Sequence, residues 1–209
     1  MPINWLFSEP ILFISWVAAI LIALTIHEFS HAASAKFFGD NTAEAMGRVS
    51  LNPLAHIDPL GFAMLIFIGF GWAKPVPVNP YNLKNTRVSS ALVSLAGPFS
   101  NLICAIVFGF LLNFLTPLLG QENMLVNFLF LLVLINIILM IFNLIPIPPL
   151  DGSKVLFSFL PDKYNNFKEK FSINGPFILI GLILLDNLLN LNIFSSIFNF
   201  TLNILYRFL

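Results

Sequence analysis

The chain has 209 residues and a formal net charge of zero, and 58% of its residues are hydrophobic while only 10% are charged. A soluble domain is typically about 25% charged, so this composition excludes an ordinary water-soluble fold and favours a protein in the lipid bilayer. The sequence contains no basic stripe that could bind phosphates, so nothing in it suggests nucleic-acid binding. The single cysteine, Cys104, excludes an intramolecular disulfide.

The first predicted element is a membrane-spanning helix from about Pro10 to Phe38. A transmembrane helix needs about 20 mostly apolar residues, and this stretch is long enough. Residues 1–9 contain no Lys or Arg, so they lack the basic region of a signal peptide, and we expect the helix to be retained. Its last third carries the motif HEFSH at residues 27–31.

This motif predicts a metal site. His27 and His31 are four residues apart and therefore share one face of a helix, where two imidazoles can bind one Zn²⁺ per chain. Glu28 can act as the catalytic base that takes a proton from the attacking water. The alternative is a polar helix face that carries these residues by chance. That alternative is weakened because an ionisable group inside a spanning helix costs about 2.5 kcal/mol or more.

Segment 60–82 is predicted to be re-entrant or interfacial. Residues 60–72 are apolar but too short to span, and the three prolines of residues 73–82 exclude a helix, so that part should be extended. His56 lies just before this segment and is a candidate for substrate positioning, as an electrophile or gate residue. The alternative is a loop histidine at the membrane surface.

Two more spans are predicted at about residues 89–115 and 124–144, separated by a turn. A short helix to about Leu160 should follow the proline-rich residues 145–152, and then a polar segment, 161–172. The apolar stretches 173–189 and 191–208 could form two spans or one helical hairpin.

The sequence thus predicts an all-α membrane protein with about five transmembrane helices plus the segment at 60–82. We expect a single domain over residues 1–209, with a catalytic core at about 10–160 and C-terminal helices at about 173–208.

The basic residues predict how the chain is oriented. In a five-span layout all ten Lys and Arg fall on one side, and the opposite loops, 1–9, 116–123 and 186–192, have none. The positive-inside rule then places the N-terminus outside and the C-terminus in the cytoplasm. It also places the site-bearing ends of the first and third spans near the cytoplasmic face.

Asp151 is the best candidate for a third zinc ligand. It follows the break IPIPP, and broken backbone at membrane depth is tolerated only where it lines a cavity or is buried in protein. The alternative is an aspartate that caps a short helix beginning near Gly152. Asn143 could hold a substrate backbone or stabilise an oxyanion, but an interhelical hydrogen bond is the simpler interpretation. For Asn101, helix packing is favoured over a part in shaping the site.

These motifs together resemble the site-2 protease family of intramembrane metalloproteases, peptidase family M50. HEFSH resembles its first motif, NLIPIPPLDG (residues 143–152) its second, and SLAGPFSN (residues 94–101) its small-residue turn. NPLAHIDPLG and GWAKPVPVNP resemble the short bacterial and archaeal type without PDZ or CBS domains. The resemblance implies His27, His31 and Asp151 as zinc ligands, Glu28 as general base and Asn143 as a substrate-positioning residue.

The expected function is therefore intramembrane hydrolysis of peptide bonds in transmembrane protein substrates, in a prokaryotic cell membrane. The alternative is a non-catalytic zinc-binding scaffold or a metal transporter. A transporter should carry several ionisable residues along its path, and the spans contain almost none beyond Glu28.

Overall fold

A computed structural model describes residues 2–69 and 71–208, and this part of the chain is mostly helical. The helices are α1 (Pro2–Ser8), α2 (Pro10–Phe37), α3 (Thr42–Ala45), α4 (Pro59–Ile68), α5 (Thr86–Leu119), α6 (Met124–Leu144), α7 (Asp151–Phe159), α8 (Asn165–Leu188) and α9 (Ile193–Phe208). Single 3₁₀ turns cover Pro53–Ala55, Pro80–Asn82 and Asp162–Tyr164. Within the described ranges the only strand-like pairing is an isolated bridge between Ile57 and Ala73, which confirms the all-α class.

Among the described residues, α2, α5 and α6 are the three helices long and apolar enough to cross a membrane. They are the three spans expected up to Leu144. Helix α5 runs four residues further than expected, because Pro117 is tolerated in its last turn and the chain stops only at Gly120, whose φ is +85°. The count of five spans stays a prediction for the last two helices.

Small residues bring the three spanning helices close together. Ala19 and Ala23 of α2 are fully buried and pack with Leu129 and Leu132 of α6. On α5, Ala105 packs in the same way against Val133 and Ile137 of α6. In a bilayer, helix association depends on such close packing rather than on escape from water. The bundle fixes the ends of α2 and α6, where the candidate ligands lie.

The segment at 60–82 enters and leaves on one side of the bundle. Helix α4 has ten residues, about 15 Å of length, which is half of what a hydrocarbon core of about 30 Å requires. After Gly69, at φ +88°, the chain returns, and the Lys74 amide donates to the His56 carbonyl at 2.8 Å. Residues 73–79 contain no helix, as expected, but Pro80–Asn82 form a 3₁₀ turn within the stretch 73–82 that was expected to be extended. The turn begins at a proline, and the Asn79 side chain caps it by accepting from the Tyr81 amide. Phe70 lies outside the described residues.

The C-terminal part differs from expectation in one respect. Helix α8 begins at Asn165, within the segment expected to be a polar connection. Residues 165–174 contain no proline or glycine, and Lys and Glu are good helix formers. The polar composition of this stretch does not interrupt the helix.

Candidate metal centre

Three buried side chains meet between the end of α2 and the start of α7. The Nε2 atoms of His27 and His31 lie 3.0 Å apart, and they lie 3.1 and 3.0 Å from Oδ2 of Asp151. These three residues form a group that could hold a metal ion. The structure therefore brings together the three residues that the sequence proposed as ligands, although the last is separated from the others by about 120 positions.

The partners of the other ring nitrogens decide the tautomers. His31 Nδ1 lies 2.7 Å from the Val93 carbonyl, which can only accept, so Nδ1 carries the proton. His27 Nδ1 lies 2.6 Å from Asn101 Oδ1. That oxygen is an acceptor because the Asn101 amide nitrogen already donates to Asn136 Oδ1 and the Ala23 carbonyl. In its neutral form each histidine, with the proton on Nδ1, therefore turns an unprotonated Nε2 towards the centre.

With both imidazoles neutral, two nitrogen lone pairs and the Oδ2 atom of Asp151 face one another. Three acceptors at about 3 Å repel one another unless a cation lies among them. Two histidines and one carboxylate, with a fourth position left open, form a donor set typical of catalytic zinc. Hydrogen bonds behind metal-binding histidines fix their orientation in the same way as the bonds to Asn101 and Val93. The residues present fit a zinc ion.

Gly97 of α5 keeps room for this centre. A Cβ atom built on Gly97 would lie 2.4 Å from Nε2 of His31 and 2.6 Å from Nε2 of His27. Such distances are far below van der Waals contact. Only glycine lets the backbone of α5 pass this close to the two imidazoles.

The proline-rich break delivers Asp151 to the histidines. Gly152 packs on the end of α6, where a Cβ would lie 2.2 Å from the Leu144 carbonyl. Asp151 is the first residue of α7, and the residue at the N-cap position is Leu150, with no side-chain capping bond. The capping alternative is not observed. The second oxygen of Asp151 accepts from Lys154 Nζ at 3.0 Å.

Glu28 lies beside the histidines and faces a cavity of about 840 Å³ that the ligands also line. Its Oε2 accepts a hydrogen bond of 3.1 Å from the backbone amide of Val76, in the returning extended segment. Asn143 lines the same cavity and donates to the Leu139 carbonyl of its own helix at 3.0 Å. The interhelical hydrogen bond considered for Asn143 is instead made by Asn101 and Asn136.

His56 is not brought to the metal centre. It is 2% exposed, so it is no surface loop residue. Its Nε2 lies 2.7 Å from the Ser50 carbonyl and its Nδ1 lies 3.5 Å from Nη2 of Arg48. The structure gives His56 no contact with the three candidate ligands or with Glu28, and its part in substrate positioning stays a prediction.

Sequence reasoning missed four groups near the site. Asn101 was assigned to helix packing, and Gly97 was seen only as part of a small-residue turn. Asn136 and Arg48 were not considered for the site at all. A polar residue in an apolar span, such as Asn136, is a detectable feature, because it must find a partner inside the bundle. Nothing in the pattern around Arg48 indicates where its side chain points.

Comparisons with known proteins identify a family and relatives that are named zinc metalloproteases. The family model described as Peptidase family M50 matches residues 118–184. The chain is 42% identical over 151 residues to "Putative zinc metalloprotease YwhC" of Bacillus subtilis, which is 69% of this chain and 68% of the relative.

More distant relatives carry similar names. "Putative zinc metalloprotease Rip2" of Mycolicibacterium smegmatis is 34% identical over 67% of this chain and 55% of the relative. "Putative zinc metalloprotease MJ0611" of Methanocaldococcus jannaschii is 30% identical over 75% of this chain and 78% of the relative. No solved structure gives a significant match.

The likeness to YwhC covers more than two thirds of both chains, and the family model includes the stretch that delivers Asp151. Three apolar helices make the protein a membrane protein, and the donor set fits zinc. This chain belongs to peptidase family M50 and is a zinc metalloprotease.

Proposed function

We propose that the protein hydrolyses peptide bonds within the transmembrane segments of protein substrates, and that His27, His31 and Asp151 hold its zinc ion. The observation that carries this proposal is the position of the donor set. It lies between the ends of two helices long enough to span a membrane, α2 and α6, rather than in a separate soluble part. Residues 1–209 then act as a single protease domain.

The zinc ion, when bound, would polarise the scissile carbonyl and lower the pKa of water, so that a nucleophile forms near neutral pH. The chain's own residues supply the rest. Glu28 takes the proton of the attacking water and passes it to the leaving amine. Glu28 is 9% exposed. It follows His27 directly in the sequence, as the general base does in HExxH metalloproteases. Asn143, on the wall of the cavity, is placed to hold the substrate backbone.

A transmembrane helix must be opened before its peptide bonds can be cut, because its amides and carbonyls are bonded to each other. The extended segment 73–79 can hold the opened strand by β-augmentation. Pro75 and Pro77 have no amide N–H to donate. Within the described part of the chain the Val76 carbonyl and the Val78 amide have no partner, so these two groups can bond to the substrate strand. A crosslinking map that places bound substrate far from residues 73–80 would refute this step.

We further propose that the site faces the cytoplasm in a prokaryotic cell membrane, with the N-terminus outside. Lys36 ends α2 and Arg87 begins α5, whereas the turn at residues 120–123 between α5 and α6 has no basic residue. The positive-inside rule then assigns the ligand-bearing helix ends to the cytoplasmic side. Water reaches the cavity from that side.

The test is the variant Glu28→Gln, with zinc content and cleavage of a model single-span substrate measured together. Glutamine keeps the size of the side chain but cannot accept the proton. We expect zinc to stay at one ion per chain and cleavage to be lost. Unchanged cleavage would contradict the role of Glu28. A parent protein that holds zinc and cuts no transmembrane substrate would point to the scaffold.

A further inference from the structure

Arg48 is a buried cation outside the metal centre. Arg48 lies shortly after α3 and is 3% exposed. Its guanidinium bonds to backbone carbonyls rather than to a carboxylate. Its Nη1 donates to the Pro75 carbonyl at 3.3 Å, and its Nη2 donates to the Lys74 carbonyl. A buried guanidinium that donates to two successive carbonyls of an extended segment fixes the position of that segment.

His56 contacts the same guanidinium nitrogen, Nη2, that donates to the Lys74 carbonyl. Because the Ser50 carbonyl can only accept, His56 Nε2 carries the proton and Nδ1 is left as an acceptor towards Arg48. The carbonyl of His56 also accepts the Lys74 amide. His56 and Arg48 thus form one support for the start of the extended segment.

The segment held in this way contacts Glu28 in its middle. The Val76 amide, one residue after Pro75, donates to Oε2 of Glu28. Further on, the Asn79 amide donates to Asp40 at 2.7 Å. The extended segment is therefore fixed at its start by Arg48 and at its end by Asp40. Its middle amide contacts the proposed general base.

We propose that Arg48, supported by His56, is a positioning residue for catalysis: it holds residues 74–76 so that the Val76 amide orients the carboxylate of Glu28. This inference rests on the proposed function, since it assigns Arg48 a part in the reaction that Glu28 performs. It gives His56 a role behind the site rather than in it.

Geometry rather than charge carries this role. Arg48 reaches two carbonyls and one imidazole through two nitrogens in a fixed fork, whereas a lysine has a single nitrogen. Arg48→Lys keeps the positive charge near Glu28 but loses the fork. Arg48→Met keeps most of the stem and removes both.

The experiment compares Arg48→Met and Arg48→Lys with the parent enzyme. It measures kcat and KM per bound zinc ion, and hydrogen exchange of a peptide that covers residues 73–79. We expect kcat per zinc to fall on the order of 10-fold to 100-fold, as for a misplacement of about 1 Å. Exchange should quicken at the bonded amides of Lys74, Val76 and Asn79. The Arg48→Lys variant should restore little of the lost kcat and little of the protection from exchange. The matched control is Lys36→Met, which removes a cation paired with Glu44 at the surface and should change neither readout.

Val76→Pro keeps the test decisive if an Arg48 variant does not fold. Proline removes the amide that donates to Glu28 and fixes φ at residue 76, in a segment that already carries Pro75 and Pro77. We expect zinc to be retained and kcat to fall by a larger factor than KM rises. Val76→Ala keeps the amide and isolates the effect of the side chain.

The inference is overturned if the Arg48 variants cut at the parent rate per zinc ion, if lysine restores full activity, or if Val76→Pro is fully active. A merely structural Arg48 would lower the yield of folded, zinc-loaded protein and leave kcat per zinc unchanged. A parent that holds zinc and cuts no transmembrane substrate would instead defeat the proposed function.

Discussion

Two acceptors decide which nitrogen of each histidine faces the metal centre. The Val93 carbonyl and Asn101 Oδ1 hold the protons of His31 and His27 on Nδ1. Both Nε2 lone pairs are left free for a cation. Neither acceptor is a ligand, yet without them each ring could turn or change tautomer. At the residue scale we therefore expect the affinity for zinc to depend partly on the hydrogen-bond partners of the proposed ligands.

Asn101→Leu tests this directly. Leucine has a similar size but cannot accept from His27 Nδ1, so the imidazole loses its fixed tautomer. We expect zinc affinity, measured by competition with a chelator, to fall by about 10-fold to 100-fold. Asn143→Leu is the comparison, because Asn143 bonds only its own helix in the described structure. It should leave zinc affinity unchanged and weaken cleavage. Equal zinc affinity in parent and Asn101→Leu would contradict the account.

Gly97→Ala tests the space beside the ligands. The added methyl group would overlap both imidazoles, so either the rings or α5 must move. We expect zinc affinity to fall by at least about tenfold, the size typical of changes next to metal ligands. Gly181→Ala adds the same methyl group to helix α8, where nothing lies within 4 Å, and should bind zinc like the parent. A fully zinc-loaded Gly97→Ala protein of parental affinity would show that the space is not needed.

At the element scale, the extended segment is tied to the end of α2 by Asp40. This fully buried carboxylate accepts from Asn82 Nδ2 and from the amides of Asn79 and Thr42. Burial alone would raise the pKa of Asp40, but the hydrogen bonds, first that of the Thr42 hydroxyl, outweigh burial and lower it. The folded protein therefore binds the ionised form better than the unfolded chain does.

This gives a pH dependence with a definite sign. Because the folded pKa of Asp40 lies below its unfolded value of 3.8, the stabilisation is complete above that value and is lost as pH falls through the folded pKa. We expect Asp40→Asn to lower the thermal unfolding midpoint at neutral pH. The difference from the parent should shrink as the pH drops below about 4. A difference that stays constant down to pH 3 would contradict the assignment.

The sequence predicted elements better than their mutual contacts. Hydropathy and length located α2, α5 and α6, and the prolines at 75, 77 and 80 predicted a non-helical segment. The HEFSH spacing predicted a two-histidine face, and the break before Asp151 suggested the third ligand. The bond between Glu28 and Val76, and the placement of Arg48, depend on how the segment folds back. No local pattern specifies that path.

At the scale of the whole molecule, the helix ends that form the site must lie on the same side of the membrane. The site joins the ends of α2 and α6 with the beginning of α5, so all three lie on the same side of the bundle. The turn at residues 120–123 lies at the other end. The orientation of one loop therefore determines the orientation of the site.

Cysteine labelling measures this orientation. In a Cys104→Ala background, a cysteine at Gln121 should react with a membrane-impermeant maleimide from outside intact cells, because the turn is expected outside. A cysteine at Glu44, in the exposed part of α3, should react only after permeabilisation. The opposite pattern would reverse the proposed topology.

We propose that this zinc protease cuts inside the membrane, and the position of the scissile bond decides whether it does. The purified protein is reconstituted with a single-span substrate in lipid vesicles, and the products are identified by mass spectrometry, with Glu28→Gln as the inactive control. We expect new termini within the apolar span, in the part nearer the cytoplasmic face, from the parent only. Cuts confined to the soluble flanks of the substrate, or the same cuts from Glu28→Gln, would contradict it.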